Sequence, residues 1–312
     1  MGILYKFIIT LLLLYDGRIS SMKLKKWHIW LGFAISAVFL YLAFRKVDFS
    51  QVWSYLTHAQ WSWVLLGLVF YFIGVWLRAF RWQILLNPLK KLSIPRLFQV
   101  VAIGYMGNNV YPARAGELLR AVLLKQKDQI SISASLATIV VERLFDALVI
   151  MGLVLLNLSQ LTALPSAQSY IGAIRAVATW GAVIFLALFA LFLALVLFPK
   201  PTQKALDWVI NHLIIARFRK GISDFIMRFI EGLSSLRSAG ETLKVLMFSI
   251  AIWTCETGLY WGVMQAMGIQ LSFMSLMLIN GVVNLVLLIP AAPGGLGTFD
   301  AAGKAMLQIF GI

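Results

Sequence analysis

From residue 61 to residue 77 this chain runs for seventeen residues without a charge, and from 176 to 198 for twenty-three. A helix rises about 1.5 Å per residue, so roughly 20 apolar residues cross the ~30 Å hydrocarbon core of a bilayer. Comparable runs recur to the end of the chain. They are too long and unbroken for barrel strands, which alternate in polarity and cross with about 10 residues. The fold class that follows is all-α: a polytopic membrane helical bundle. Composition agrees, with 61% of the 312 residues hydrophobic and 12% charged, against about a quarter charged in soluble domains.

Lipid offers no partner to a broken backbone and is hostile to charge. Residues 104–120 are therefore the most informative stretch. They carry Asn108, Asn109, Pro112, Arg114, Gly116, Glu117 and Arg120 in an otherwise apolar setting. Such polarity survives inside a protein bundle or beside water. A straight crossing over 97–111 would put Arg114, Arg120, Lys125 and Lys127 outside, against the rule that basic residues stay cytoplasmic. A re-entrant hairpin that turns near 108–112 keeps them inside, and Pro112 suits the turn. Arg114, Glu117 and Arg120 are three apart and share one helical side.

Lys plus Arg number 27 against 12 for Asp plus Glu, a net charge of +15. In a soluble protein that would suggest nucleic acid. Here it reads as basic cytoplasmic flanks and attraction to anionic lipid, with no nucleic-acid partner. Cys255 is the only cysteine, and His28, His58 and His212 have no ligand spacing. No metal or cofactor is expected.

In chain order, residues 1–21 read as an upstream extension and 22–312 as a single integral membrane domain. A first span over 27–44 follows Lys23, Lys25 and Lys26, which place the N-terminus in the cytoplasm. The second span, 61–77, is anchored by Trp61 and Trp63. Arg78 and Arg81 then snorkel to the inner headgroups. A long span over 132–158 holds Glu142, Arg143 and Asp146, with residues 142 and 146 on one helical face. A span over 174–198 returns inward. Residues 199–244 hold eight basic and four acidic residues, with apolar side chains at helical spacing. They read as a cytoplasmic amphipathic surface segment. Spans over 245–267, which contains Glu256, and 271–289 follow. The total is about six spans plus two re-entrant segments, in a multi-pass protein of the cytoplasmic membrane.

The second re-entrant segment rests on an echo. Residues 290–294 and 112–116 share the pattern Pro-Ala-x-x-Gly, each after an Asn and before an acidic residue and a helix. Paired Gly/Pro interruptions in two halves of a transporter mark an inverted repeat with a substrate site at its interface. Helix N-termini there offer free N–H groups to a phosphate. Gly294, Gly295 and Asp300 join the candidate site on this ground.

The pattern of Asn108, Pro112, Arg114, Gly116, Glu117 and Arg120, the Glu142-Arg143-x-x-Asp146 motif, and Pro-Gly-Gly-Leu-Gly-Thr-Phe at 293–299 resemble a known family. It is the lysylphosphatidylglycerol synthase/flippase transmembrane family, and the likeness runs from about Met22 to the C-terminus. The family includes the membrane half of the bacterial multiple peptide resistance factor and stand-alone proteins, some described as dolichol-phosphate sugar synthases. The resemblance implies a helical, lipid-translocating domain. In two-domain relatives a separate cytosolic domain transfers lysine from its tRNA to phosphatidylglycerol. Nothing of that domain is expected in this sequence. Asp300 stands where relatives often carry Glu, and relatives are expected to continue through a further span beyond Ile312.

The expected activity is flippase-like: binding and translocation of a lipid with an anionic or phosphate-bearing headgroup between the two hairpins. Arg114 and Arg120 would hold phosphate, because a guanidinium fork contacts two oxygens. Glu117, Glu142 and Asp146 would balance charge or engage a positive headgroup, and Asn108 and Asn109 would line the turn. For Glu142, Arg143 and Asp146 a purely architectural ion cluster stands beside the functional reading. The alternatives are a membrane transferase acting on a polyprenyl-phosphate or phospholipid, and a non-catalytic membrane partner of such a synthase.

Overall fold

A computed structural model describes residues 48–110, 115–162, 168–198, 201–202, 204, 208, 212, 216–287, 295 and 297–312. The expected extension over 1–21, the first span over 27–44, Arg114 and Gly294 lie outside these residues. Among the described residues every regular element is helical. We number them α1 (Phe49–His58), α2 (Trp61–Leu86), α3 (Ile94–Val110), α4 (Ala115–Asp128), α5 (Ile132–Asn157), α6 (Gln168–Leu197), α7 (Ala216–Gly232), α8 (Ala239–Ala266), α9 (Phe273–Val286) and α10 (Thr298–Ile309). A single turn, Ser159–Thr162, follows α5, and a 3-10 turn, Ser234–Arg237, precedes α8.

Several helices begin where a short polar side chain can satisfy a free N–H. The Ser131 hydroxyl accepts from the Ala134 N–H at the start of α5. Ser238 does so for Glu241 in α8 and Ser272 for Ser275 in α9. Asp300 accepts from the backbone N–H of Gly297 and caps α10.

Among the described residues, two helices are long and apolar enough to cross a membrane: α2 and α8. At 26 and 28 residues they measure about 39 and 42 Å. Only 28% of the apolar window of α2 and 33% of that of α8 is buried. A soluble core helix would be mostly covered. On α2 the outward stripe is Leu65, Val69, Phe72, Trp76 and Phe80, all exposed and at helical spacing. That is the surface lipid would cover.

The inward face of α2 packs antiparallel on α8, the most extensive helix pair in the structure. Small residues make the approach possible, as between helices in lipid. A Cβ on Gly262 would lie 2.8 Å from the Trp63 carbonyl oxygen and 2.9 Å from the Gly67 Cα. One on Gly258 would lie 2.8 Å from the Phe70 ring. Neither backbone nor ring can give way cheaply.

The sequence reading ended the second span at residue 77, so that Arg78 and Arg81 could reach headgroups. The helix instead continues to Leu86, and Arg81 and Trp82 are fully buried. The reason is a set of carboxylates on other helices, described below.

The chain over 97–124 does double back. The α3 and α4 helices pack against each other, with Gly104 facing Arg120 and Gly107 facing Gly116. That pairing order makes them antiparallel. A Cβ on Gly107 would lie 2.9 Å from the Gly116 Cα, and one on Gly116 would overlap the Gly104 carbonyl. The pair leans on α2 through α3 and on α5 through α4. Farther along, α9 packs on α5, α8 and α10. Thus α5 touches both the α3–α4 pair and the α9–α10 pair. The α7 helix docks on α5, where Gly232 fits against the Ala134 carbonyl.

Replacing Gly262 with Leu should force α2 and α8 apart and lower the melting temperature in detergent by at least about 5 °C, the scale of an overpacked core. Gly152 has nothing within 4 Å of a would-be Cβ, so Gly152→Leu should leave it unchanged. Equal melting temperatures for the two variants would contradict the packing described.

Candidate functional site

Side chains from four helices meet in a chain of opposite charges. Arg81 of α2 lies at its centre. Its Nη1 and Nη2 donate to the two carboxylate oxygens of Asp146 on α5, the second at 3.3 Å. The same Nη1 donates to the Ser249 hydroxyl of α8 at 2.7 Å. Glu142 Oε1 lies 3.6 Å from Arg81 Nη2. The other Glu142 oxygen faces Arg120 of α4 at 2.8 Å. At the far end, Arg143 Nη2 lies 3.3 Å from Asp146 Oδ2, and Arg143 Nε 3.6 Å from Glu117 Oε1 of α4. Trp253 of α8 also donates its indole N–H to Asp146, at 3.1 Å.

Three arginines thus face three carboxylates, and the chain is neutral as a whole. Burial is graded along it. The Arg81 and Glu142 side chains are 0% and 1% exposed, whereas Arg143 is 35% and Glu117 23% exposed. The inner part is sealed and the α4 end is open.

Local sequence explains the arrangement. The i, i+4 spacing on α5 turns Glu142 and Asp146 the same way. Arg81 reaches both because α2 runs past the membrane length expected for it. Arg120 crosses α3 at Gly104, where a Cβ would lie 2.6 Å from the Arg120 stem. Its guanidinium then lies 3.9 Å over the Trp82 ring, a cation–π contact. Trp82 is itself held by a hydrogen bond from its indole N–H to the Thr138 hydroxyl of α5, at 3.0 Å.

The Arg120–Glu142 contact is close but poorly directed. Arg120 Nη2 and Glu142 Oε2 lack an aligned hydrogen-bond partner, as do Arg81 Nε, Arg120 Nε, Arg143 Nε and Asn108 Oδ1. Buried N–H groups are nearly always satisfied. The leftover N–H groups of Arg120 on α4 and Arg143 on α5, beside the spare oxygens of Asn108 and Glu142, are donor-rich chemistry suited to an anion.

A second pair lies one turn along α2. Arg78 Nη2 donates to Glu256 Oε2 of α8 at 2.8 Å, and its guanidinium lies 5.5 Å from the centre of the Tyr105 ring of α3. Beyond it the α8 and α9 helices are tied by polar groups. Asn280 donates to the Thr257 hydroxyl, and Asn284 to the Asn280 side-chain oxygen.

The sequence-derived candidates therefore divide. Glu117, Arg120, Glu142, Arg143 and Asp146 are brought into one chain. Asn108 adjoins it, against Gly116, and Asn109 is exposed at the end of α3. Gly295 and Gly297 have φ of 73° and 83°, so the turn into α10 needs glycine there. The contact seen for Asp300 is its cap on Gly297. Arg81 was missed, having been read as a snorkelling residue. A balance of intramembrane charge was the available signal: the sequence put Glu142, Asp146 and Glu256 in spans with Arg143 as their only nearby cation.

The family described as lysylphosphatidylglycerol synthase TM region matches residues 29–312. A UPF0104 membrane protein of Methanothermobacter thermautotrophicus is 24% identical over 265 residues, covering 81% of this chain and 75% of the relative. The UPF0104 membrane protein MJ1078 of Methanocaldococcus jannaschii is 26% identical over 205 residues, covering 65% of this chain and 79% of that one. Glycosyltransferase AglD of Haloferax volcanii is 24% identical over 293 residues, covering 87% of this chain. That stretch is 47% of AglD, so the chain spans about half of that protein's length. No solved structure matches the chain. The family match spans nearly the whole sequence and the UPF0104 relatives are named as membrane proteins, so the chain belongs to the lysylphosphatidylglycerol synthase TM region family of membrane proteins.

Proposed function

We propose that this protein binds the phosphate-bearing headgroup of a lipid at the open end of the buried charge chain and carries it across the membrane. The carrying observation is the set of unpartnered N–H groups on Arg120 and Arg143, held where α4 meets α5. A phosphodiester supplies acceptor oxygens that these groups lack. The first turn of α4 adds the positive end of a helix, and Arg114 is assigned with it to the phosphate. Glu117 is partly exposed and meets one guanidinium loosely, so it can turn to a positive headgroup amine. Gly294, Gly295 and Asp300 are assigned to the opposite hairpin of the same passage.

In this reading α3–α4 and the segment around 290–300 are re-entrant hairpins in a bundle of about six spans, with the N-terminus and the basic 199–244 surface in the cytoplasm of a cell membrane. The acyl chains stay in lipid beside the apolar stripe of α2, and the headgroup moves through the interior. Arg81, Glu142 and Asp146 form the fixed floor of the route. Movement needs binding weak enough to release. The loosely aligned contacts of Arg120 and Arg143 fit that need better than Arg81, whose two terminal nitrogens are both held by Asp146.

The second reading is a transferase acting on a lipid-linked phosphate, or its membrane partner. It draws on the name of the Haloferax relative. Glu142 and Asp146 would have to serve as acid and base, but each is bound by arginine, which favours carboxylates that hold position over carboxylates that exchange protons.

Vesicles of phosphatidylcholine and phosphatidylglycerol with a headgroup-labelled phosphatidylglycerol probe test both. The wild-type protein should speed transbilayer movement of the probe. Arg120→Ala should destabilise the fold by about 3–5 kcal/mol, because it strands a buried carboxylate. The neutral pair Arg120→Gln with Glu142→Gln should fold normally yet lose at least about tenfold in rate, the worth of a charged hydrogen bond. Full activity in that double variant would make the pair architectural. Wild-type rates equal to protein-free vesicles, with covalent turnover of added lipid, would favour the transferase.

A further inference from the structure

The Arg78–Glu256 pair differs from the chain centred on Arg81, although the two arginines are one turn apart. Arg81 is the more fully bound: Asp146 takes both of its terminal nitrogens, Ser249 takes one of them again, Glu142 stands behind, and its Nε alone has no partner among the described residues. Arg78 makes one hydrogen bond among the described residues, to Glu256. A guanidinium has five N–H donors, so most of its capacity is unused. The pair is also less sealed, with side chains 12% and 24% exposed against 0% and 6% for Arg81 and Asp146.

Its surroundings are built to hold a guanidinium plane open at one edge. The Tyr105 ring covers one face. Gly74 lies along the other nitrogen, where a Cβ would come within 3.3 Å of Arg78 Nη1. Tyr105 also joins the two charged regions. Its ring lies on the Arg78 guanidinium, while its neighbour on α3, Gly104, faces Arg120 of α4.

We propose that Arg78 is a second phosphate-binding station on the headgroup route, and that Glu256 is the carboxylate that displaces the phosphate from it. This inference rests on the headgroup reading of the Arg120–Arg143 end. A phosphodiester and a carboxylate each carry one negative charge and each accept two hydrogen bonds from a guanidinium. Either anion, bound alone, neutralises the guanidinium. The displaced Glu256 is the more exposed partner, so its release costs less than freeing Asp146 would. Arg78 is thereby never left without an anion, and the phosphate never faces an unopposed cation that would trap it. The class of ligand is a lipid phosphodiester, with inorganic phosphate the soluble form of the same chemistry.

The test measures binding and movement separately, with the full chain. Dihexanoylphosphatidylglycerol and inorganic phosphate are titrated calorimetrically into protein in a zwitterionic detergent. In parallel, labelled phosphatidylglycerol is followed in vesicles. Glu256→Gln should bind dihexanoylphosphatidylglycerol about tenfold more tightly, having lost the competing carboxylate, and should move lipid more slowly. The neutral double variant Arg78→Gln with Glu256→Gln removes both charges together and should bind more weakly than wild type. Unchanged affinity in Glu256→Gln, or wild-type affinity in the double variant, overturns the station. Inorganic phosphate binding as tightly as the lipid overturns the lipid assignment. If wild-type protein moves no lipid while the affinity changes hold, translocation fails and Arg78 stands as a lipid-phosphate site.

Discussion

A guanidinium sealed from water holds this structure together. Arg81 has no exposed surface, and a cation in that position is tolerable only if carboxylates and hydroxyls from other helices close around it. Its partners come from α5 and α8, so three helices are committed at one point. The requirement reaches outward. α2 must extend beyond the last apolar residue that lipid alone would ask for. α5 must turn two carboxylates the same way. α8 must approach near enough for Ser249 and Trp253 to arrive, which Gly258 and Gly262 permit higher on the same interface.

From that fixed point the charge becomes progressively looser. Arg120 is held by a ring face and a nearby carboxylate with poor alignment. Arg143 and Glu117 are a third and a quarter exposed. Arg78 keeps one partner and several idle donors. A rigid centre with a yielding edge is what passage of a charged headgroup requires, since a uniformly tight set would bind and hold. Under the proposed headgroup route, the same gradient divides the architectural and functional readings that the sequence left side by side for Glu142, Arg143 and Asp146: the inner pair would be scaffold, and the outer arginines would line the route.

Much of this was legible in the residues. The uncharged runs gave the helical membrane class, and the family match bears it out. The conflict between Pro112, the basic residues and a straight crossing gave the doubling back of α3 and α4. The spacing of 142 and 146 gave their common face. Arg81 was not legible, because hydropathy read locally ends the span before it. Its partners lie 65 and 168 residues away in sequence. Long-range pairing of that kind leaves no local trace. The packing glycines were not legible: that Gly104 makes room for the stem of Arg120 depends on how two helices align. Asp300 looked like part of a substrate motif, and its contact in the structure is the cap of a helix.

Whether a headgroup occupies the interior is best measured by photo-crosslinking. A phosphatidylglycerol with a diazirine beside its phosphate would be illuminated in vesicles with the intact protein, and the adducts mapped by mass spectrometry. The account predicts labelling at Tyr105, Asn108 and Glu117, around the open end of the charge chain. Labelling confined to Leu65, Val69 and Phe72, on the outward face of α2, would contradict it.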